Sequence, residues 1–250
     1  MSSHNVEAKV ESASLERIIP DALVEHDATG SETLKLHMAR YAFAVKHVAP
    51  GVVLDMACGV GYGSYYLAQN TGPEVSKIIA VDISPDAIAY AKQRYQHPKI
   101  EFLCADATRF TSGREFQTIV SLETIEHIPD PARFIAHLKT LLDANGTLIG
   151  SVPVTPSVDA NPHHITDFTE TSFRKMCAAL EFEPIDSLKQ VQPFSPFRIV
   201  TRQEERMEKM RQNIGRYYLQ HPGALLKRIY ATVVFGFSNR YLTVAWRSRA

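Results

Sequence analysis

Between about residue 50 and residue 152, short apolar runs alternate with stretches of helical spacing, the pattern of a doubly wound α/β domain built on a parallel sheet. Val52, Val53 and Leu54 suit a central strand, and Ile78 to Ser84 and Glu101 to Ala107 follow as second and third strands. A fourth strand ends near Ser121, and LIGSVP, residues 148–153, is the fifth. Upstream, Leu34, Met38, Tyr41, Phe43 and Val45 have helical spacing, predicting a helix over 31–48 with Ser31 as its N-cap. Ser84 and Pro85 start another helix, and PARFIAHLKTLL forms one more. Toward the end, TRQEERMEKMRQNIGRYYLQHP is expected to be helical, followed by the apolar, basically punctuated ALLKRIYATVVFGF. No internal repeat is visible, and 250 residues with 45% apolar content suit one domain carrying an insertion.

The turn after the first strand changes this picture from fold to chemistry. VLDMACGVGYG, residues 53–63, joins a buried strand, an acid and a glycine turn, which lets the backbone approach a ligand closely. It reads as a nucleoside-binding loop. The dinucleotide fingerprint would need a third glycine where Ser64 stands. Asp55 before the turn would repel a pyrophosphate but attract an ammonium group, so the ligand should carry a cation.

These residues resemble the class I S-adenosylmethionine-dependent methyltransferases, whose first motif has the same acid and glycine turn, often with the same Ala-Cys-Gly. The resemblance covers residues 51–152. It implies a Rossmann-like, seven-stranded, mostly parallel sheet with an antiparallel last strand near Tyr241 to Arg247. It also implies S-adenosyl-L-methionine as cofactor, held by Asp55, Gly59, Gly61 and Leu122. Asp82, about twenty residues past the loop, would take the ribose hydroxyls. Asp106 would take the adenine amino group, with Ile83 and Ala107 flanking the ring. Taken singly, Asp82 and Asp106 also read as helix caps or turn residues. In relatives the 31–48 helix lies over the cofactor, so Arg40 and Tyr41 either reach the methionine end or pack in the core.

Charge adds a second region of interest. The chain holds 27 Lys and Arg against 27 Asp and Glu, yet from Lys189 to Ala250 there are twelve Lys or Arg against only Glu204, Glu205 and Glu208. The expected organisation is a polar arm and lid helix over 1–48, with residues 1–20 loosely held. A cofactor-binding core over 49–192, a basic substrate-side insertion over 193–240 and the last strand over 241–250 follow. Such an insertion suits a phosphorylated or acidic acceptor, RNA or an anionic membrane surface, or is a solvated helix face. Cys58, Cys104 and Cys177 have no metal-type spacing and give no disulfide framework, and no signal peptide or apolar run of spanning length is present. A cytoplasmic protein is expected.

Ser121 to His127, SLETIEH, lies at the carboxyl end of the fourth strand, where ligands of this fold class sit. Glu123, Glu126 and His127 are spaced i, i+3 and i+4, so one helical turn would aim two carboxylates and an imidazole at one point. That suits a divalent cation. Together with NPHHITDF, residues 161–168, the set resembles two groups of metal-dependent O-methyltransferases, one methylating catechols in ubiquinone synthesis and one the terminal ribose 2′-hydroxyl of small RNAs. His164, Phe168 and Thr169 match the segment carrying the last ligand in the second group, which implies Glu123, Glu126, His127 and His164 around magnesium, manganese or zinc, with His163 toward substrate. Without metal, His127 is the general base. Glu126 and His127 also read as caps of the helix that Pro129 and Pro131 begin. His137 reads as a packing residue.

The expected activity is O-methylation of a hydroxylated small molecule, such as a sugar unit, a glycan intermediate, a catechol or a vicinal diol. N-methylation and RNA 2′-O-methylation stay open, as does a non-catalytic cofactor-binding partner. Ser64 and Asp55 argue against a dinucleotide oxidoreductase.

Overall fold

The structure is a computed structural model that describes residues 18–22, 28–194 and 210–249. A seven-stranded sheet runs in the order β3-β2-β1-β4-β5-β7-β6. The strands are β1 Gly51–Met56, β2 Val75–Asp82, β3 Ile100–Cys104, β4 Phe116–Leu122, β5 Leu142–Pro153, β6 Phe182–Pro193 and β7 Ser238–Ser248. The first five are parallel, while β7 enters antiparallel between β5 and β6. This is the expected class I methyltransferase sheet, with its antiparallel strand beginning three residues before Tyr241.

Helices cover both faces because the central strands are apolar on both. Val53 and Leu54 on β1 are fully buried. One face packs α4 (Pro131–Leu141) and α5 (Glu170–Ala179) through Ile135, Leu138 and Phe173 against Leu54, Ile119 and Trp246. The other packs α1 (Ala28–His47) and α2 (Tyr62–Asn70) through Phe43, Ala44 and Leu67 against Val53 and Val120. Helix α3 (Pro85–Arg94) covers the β2 and β3 side through Ile88 and Tyr90.

The caps fall where the sequence supplies them. Ser84 accepts from the Ala87 amide, with Pro85 in the first turn of α3. Asp130 accepts from the Arg133 amide at α4, so Asp130, not Glu126 or His127, caps that helix. Thr169 and Ser172 form a reciprocal capping box at α5, a feature worth about 1 kcal/mol.

Ser31 is not an N-cap. The α1 helix begins at Ala28, and the Thr33 hydroxyl donates to the Thr29 carbonyl, placing Ser31 inside the first turns. The third strand stops at Cys104, where the Ala105 amide makes the last bond to β2, to the Asp82 carbonyl, so Asp106 stands beyond the strand rather than at its end. Between β6 and β7 the described residues form two helices, α6 (Ile214–Gln220) and α7 (Pro222–Phe235). The expected TRQEERMEK part of the insertion and the arm over 1–17 lie outside the described residues.

The sheet order reverses between β1 and β4, which lie side by side but continue in opposite directions across the sheet. The loops leaving their carboxyl ends therefore separate and open a crevice. Both informative motifs lie there.

Candidate functional site

The loop after β1 is built by close approach. Gly61 has φ 89°, and a Cβ there would stand 2.7 Å from the Ala91 Cβ and 2.8 Å from the Phe102 ring, so α3 and β3 pack directly on it. At Gly63 a Cβ would fall 1.9 Å from the Tyr41 ring, so the missing side chain lets α1 lie across the loop. Asp82 ties the arrangement from β2. One of its oxygens accepts from the Gly59 amide and the other from the Ser84 amide, both at 2.9 Å. Its carboxylate thus holds the loop and the start of α3 together while facing the crevice.

Asp55 sits behind the loop rather than on the crevice wall. Its side chain is almost fully buried and accepts from Ser64 Oγ at 2.6 Å and from Tyr41 Oη at 3.4 Å. Burial pushes its pKa from 3.8 up to about 7, the two hydroxyls oppose that rise, and the Asp82 charge adds to it. Asp55 is therefore not an open anion on the crevice wall, and what it can offer a ligand there is its field and the positions of Ser64 and Tyr41.

The residues expected to flank an adenine line the outer part of the crevice. Ile83 is 64% exposed, a large apolar side chain held open toward the crevice beside Ala107. Asp106 accepts from the Thr108 amide and hydroxyl, which hold its carboxyl below the usual carboxylate range. It thus makes the turn contact that its residue type favours and lines the crevice as well. Leu122 faces it from the end of β4. Helix α1 closes the other side with Thr29, Thr33, His37 and Tyr41, a stripe at every fourth residue. The helix expected over 31–48 is thus the one that lines this side of the crevice.

The β4 motif does not form one helical turn. Glu123 has φ 50°, and only Ile125–His127 form a 3₁₀ turn. The left-handed residue swings the Glu123 carboxylate away from the other two. It accepts from Ser151 Oγ at 2.7 Å and lies 3.6 Å from the guanidinium of Arg40. Arg40 is 1% exposed, donates to Gln190 Oε1 at 2.8 Å and stacks over the Tyr241 ring. Arg40 is therefore a core residue, but one whose charge anchors the crevice floor.

In place of Glu123, a different trio converges. Ligating atoms of Glu126, His127 and His164 all lie within 4.8 Å of one another. The His127 and His164 rings meet edge to face with centroids 4.7 Å apart. His127 Nδ1 lies 3.1 Å from the His163 carbonyl, which can only accept, so the neutral ring carries its lone pair on Nε2. His164 Nδ1 lies 2.7 Å from Ser157 Oγ. The backbone secures the group, since the Glu126 carbonyl accepts from the amides of Ile165 and Thr166. His163 joins the crevice wall, whereas Phe168 and Thr169 serve the core and the α5 cap. His137 is on α4 and is not part of this group.

The crevice is a cavity of about 900 Å³ that continues from Gly59, Asp82 and Ile83, past Leu122, to Glu126, His127 and His164, and ends under Ala231 and Phe237 of the insertion. That is room for a nucleoside and a second ligand. A latch absent from the sequence reading holds the insertion over it. Asp159, 2% exposed, accepts from the guanidinium of Arg228 and from Tyr218 Oη at 2.6 Å. Burial opposes ionisation of Asp159, but Arg228 and Tyr218 bring its pKa below the usual range. Arg228 also donates to the Pro156 carbonyl and Arg211 to those of Val158 and Asp159. The loop that carries His164 is thus bolted to α6 and α7.

Residues 53–146 match the methyltransferase domain family. A probable S-adenosylmethionine-dependent methyltransferase of Mycobacterium tuberculosis is 29% identical over 156 residues, covering 60% of this chain and 53% of that one. Phosphoethanolamine N-methyltransferase 1 of Zea mays is 34% identical over 56% of this chain and 27% of its own length. The mitochondrial ubiquinone biosynthesis O-methyltransferase of Arabidopsis thaliana is 33% identical over 47% of this chain and 37% of its own. The chain therefore spans about half or less of these relatives. Among solved structures, the N-methyltransferase NodS of Bradyrhizobium japonicum WM9, in complex with S-adenosyl-L-homocysteine, superposes with a TM-score of 0.61 at 14% identity, covering 98% of this chain and 100% of that one. The cyclase SpnF does so at 0.59 and 14%, covering 92% and 85%. These likenesses establish the fold.

Proposed function

We propose that the protein is an S-adenosylmethionine-dependent O-methyltransferase acting on a hydroxylated small molecule, such as a sugar unit, a glycan intermediate, a catechol or a vicinal diol. One observation carries this reading. A single cavity joins the loop that suits a nucleoside to a histidine pair that suits an oxygen acceptor. S-adenosylmethionine, when bound, supplies an activated methyl that passes to the acceptor oxygen as its bond to sulfur breaks.

Asp82 would hold the ribose, Ile83 and Ala107 the adenine, and Asp106 the adenine amino group. Asp55 would balance the ammonium of the methionine end from behind the loop. His127 accepts the hydroxyl proton at Nε2, while the His163 carbonyl keeps Nδ1 protonated and the ring aligned. The insertion excludes water and holds the acceptor in line, which supplies much of the rate in a reaction whose methyl is already activated.

The donor set also fits a divalent metal. One buried carboxylate and two imidazoles suit zinc or manganese, with Glu126, His127 and His164 as ligands and Glu123 set apart against Arg40. A metal there would lower the pKa of a bound hydroxyl and favour adjacent hydroxyls that chelate.

The test is transfer of a radiolabelled methyl group to a panel of catechols, sugars and amines, run with and without chelator. Labelling of hydroxyl acceptors that His127→Ala abolishes supports the reading. Labelling of amines alone overturns O-methylation. Zinc or manganese binding lost in His164→Ala and kept in Glu123→Gln would support the three-ligand set.

A further inference from the structure

The α7 helix has two unlike faces. Its inner face carries Arg228, Ala231 and Thr232, which line the cavity. Its outer face is apolar and open. Leu226 is 68% exposed, Ile229 51%, Tyr230 66% and Val233 80%, and α6 adds Leu219 at 86%. Leu226, Ile229, Tyr230 and Val233 share one side of α7 at helical spacing, beyond what scattered surface apolar residues account for.

Charge identifies the covering partner. From Lys209 to Ala250 the chain contains no Asp or Glu; Arg211 and Arg228 are held in the latch around Asp159, and Arg216 and Lys227 are the cations left on the open side of these two helices. Arg216 is exposed, and Lys227 stands at the rim of the apolar face, 3.9 Å from Asp167. A two-fold pairing of two copies through this face would bring Arg216 and Lys227 of each copy together with no acid on either helix to face them. An anionic bilayer surface complements both features, since it takes the apolar side chains below its headgroups and the cations at their level. Among the described residues no helix is long and apolar enough to cross a membrane, so the contact is one of lying on the surface.

We propose that α7, with the end of α6, docks on an anionic lipid surface and that the acceptor is presented from that surface. The acceptor is then the hydroxylated headgroup of an amphiphile, whose apolar part stays in the bilayer while the headgroup enters the cavity beneath α7. This second step rests on the O-methyltransferase reading, but the docking does not.

The experiment is flotation of the full chain with vesicles of phosphatidylcholine alone and of phosphatidylcholine mixed with phosphatidylglycerol. Each sample is paired with calorimetry of S-adenosylhomocysteine binding and with light scattering. The expected result is binding to the anionic vesicles only, weakened by high salt, and reduced about tenfold or more in the Leu226→Glu/Val233→Glu double variant. That variant should bind S-adenosylhomocysteine as the parent does, which shows an intact fold. A folded parent that ignores both vesicle types overturns the proposal. Equal, salt-insensitive binding to both overturns its electrostatic half. A dimer that the double variant disperses, without vesicle binding, assigns the face to a second copy instead. Failure of S-adenosylhomocysteine binding alone would sink the methyltransferase reading and leave the vesicle result standing.

Discussion

Asp55→Asn keeps the shape of its side chain and removes its titration. In the folded protein the Asp55 carboxyl is raised from 3.8 to about 7, chiefly by burial. Between those values the folded state keeps a proton that the unfolded chain releases, so stability falls as pH rises from about 4 to 7 and stays at its reduced level above. At 1.36 kcal/mol per unit the full effect is about 4 kcal/mol, and relaxation around the ionised group leaves about 2 to 4 kcal/mol as the expectation. Asn can still accept from Ser64, so the variant should match the parent near pH 4 and be more stable by that amount at pH 8 without cofactor. Urea unfolding followed by circular dichroism at several pH values measures this difference. Parallel parent and variant curves across the range, or a variant weaker at pH 8, would refute the assignment of a strained buried acid. S-adenosylhomocysteine affinity at pH 8 should move the other way, because the ligand ammonium loses its counter-charge.

Gly63→Ala places a methyl within the Tyr41 ring, so it should cost about 1 to 3 kcal/mol by overpacking and weaken cofactor binding as α1 is pushed outward, seen by thermal unfolding and calorimetry. Glu123→Ala leaves the buried Arg40 charge without its carboxylate partner and should destabilise by about 3 kcal/mol or more in a denaturant titration, while metal affinity persists. Arg228→Met removes the cation from Asp159. It should raise KM for the acceptor and leave S-adenosylhomocysteine affinity unchanged, a split read from steady-state kinetics and calorimetry. Since Asp159 is held below the usual range, the latch contributes fully above the unfolded carboxylate pKa. It is lost only as pH falls through the lower folded value, and hydrogen exchange in α7 should show protection kept at mildly acidic pH.

The sheet was legible because its strands are apolar on both faces and its turns carry Gly, Asp and Ser-Pro in places where few other residues serve. Asp82 and Ser84 are two residues apart, so the cap, the acid and the strand end share one local signal. Glu123 was not legible, because helical spacing assumes helical backbone throughout and φ 50° at that residue breaks the assumption. Its true partners, Arg40 and Ser151, lie on α1 and β5, beyond any local window. The latch is a case of the same kind, since Asp159 and Arg228 are 69 positions apart and meet only after the insertion folds back. ALLKRIYATVVFGF was legible as an apolar run with basic punctuation but not as the helix α7 with one open face, because composition does not distinguish a buried stripe from an exposed one.

The proposed methyl transfer requires that the loop after β1 and the Asp82 carboxylate form a nucleoside site. Calorimetric titration of S-adenosylhomocysteine into the purified chain and into its Asp82→Ala variant tests it directly. One binding event is expected for the parent and an affinity at least about tenfold weaker for the variant, as follows when a charged hydrogen-bond acceptor for the ribose is lost. No heat from the parent, or equal affinities for both proteins, would contradict it.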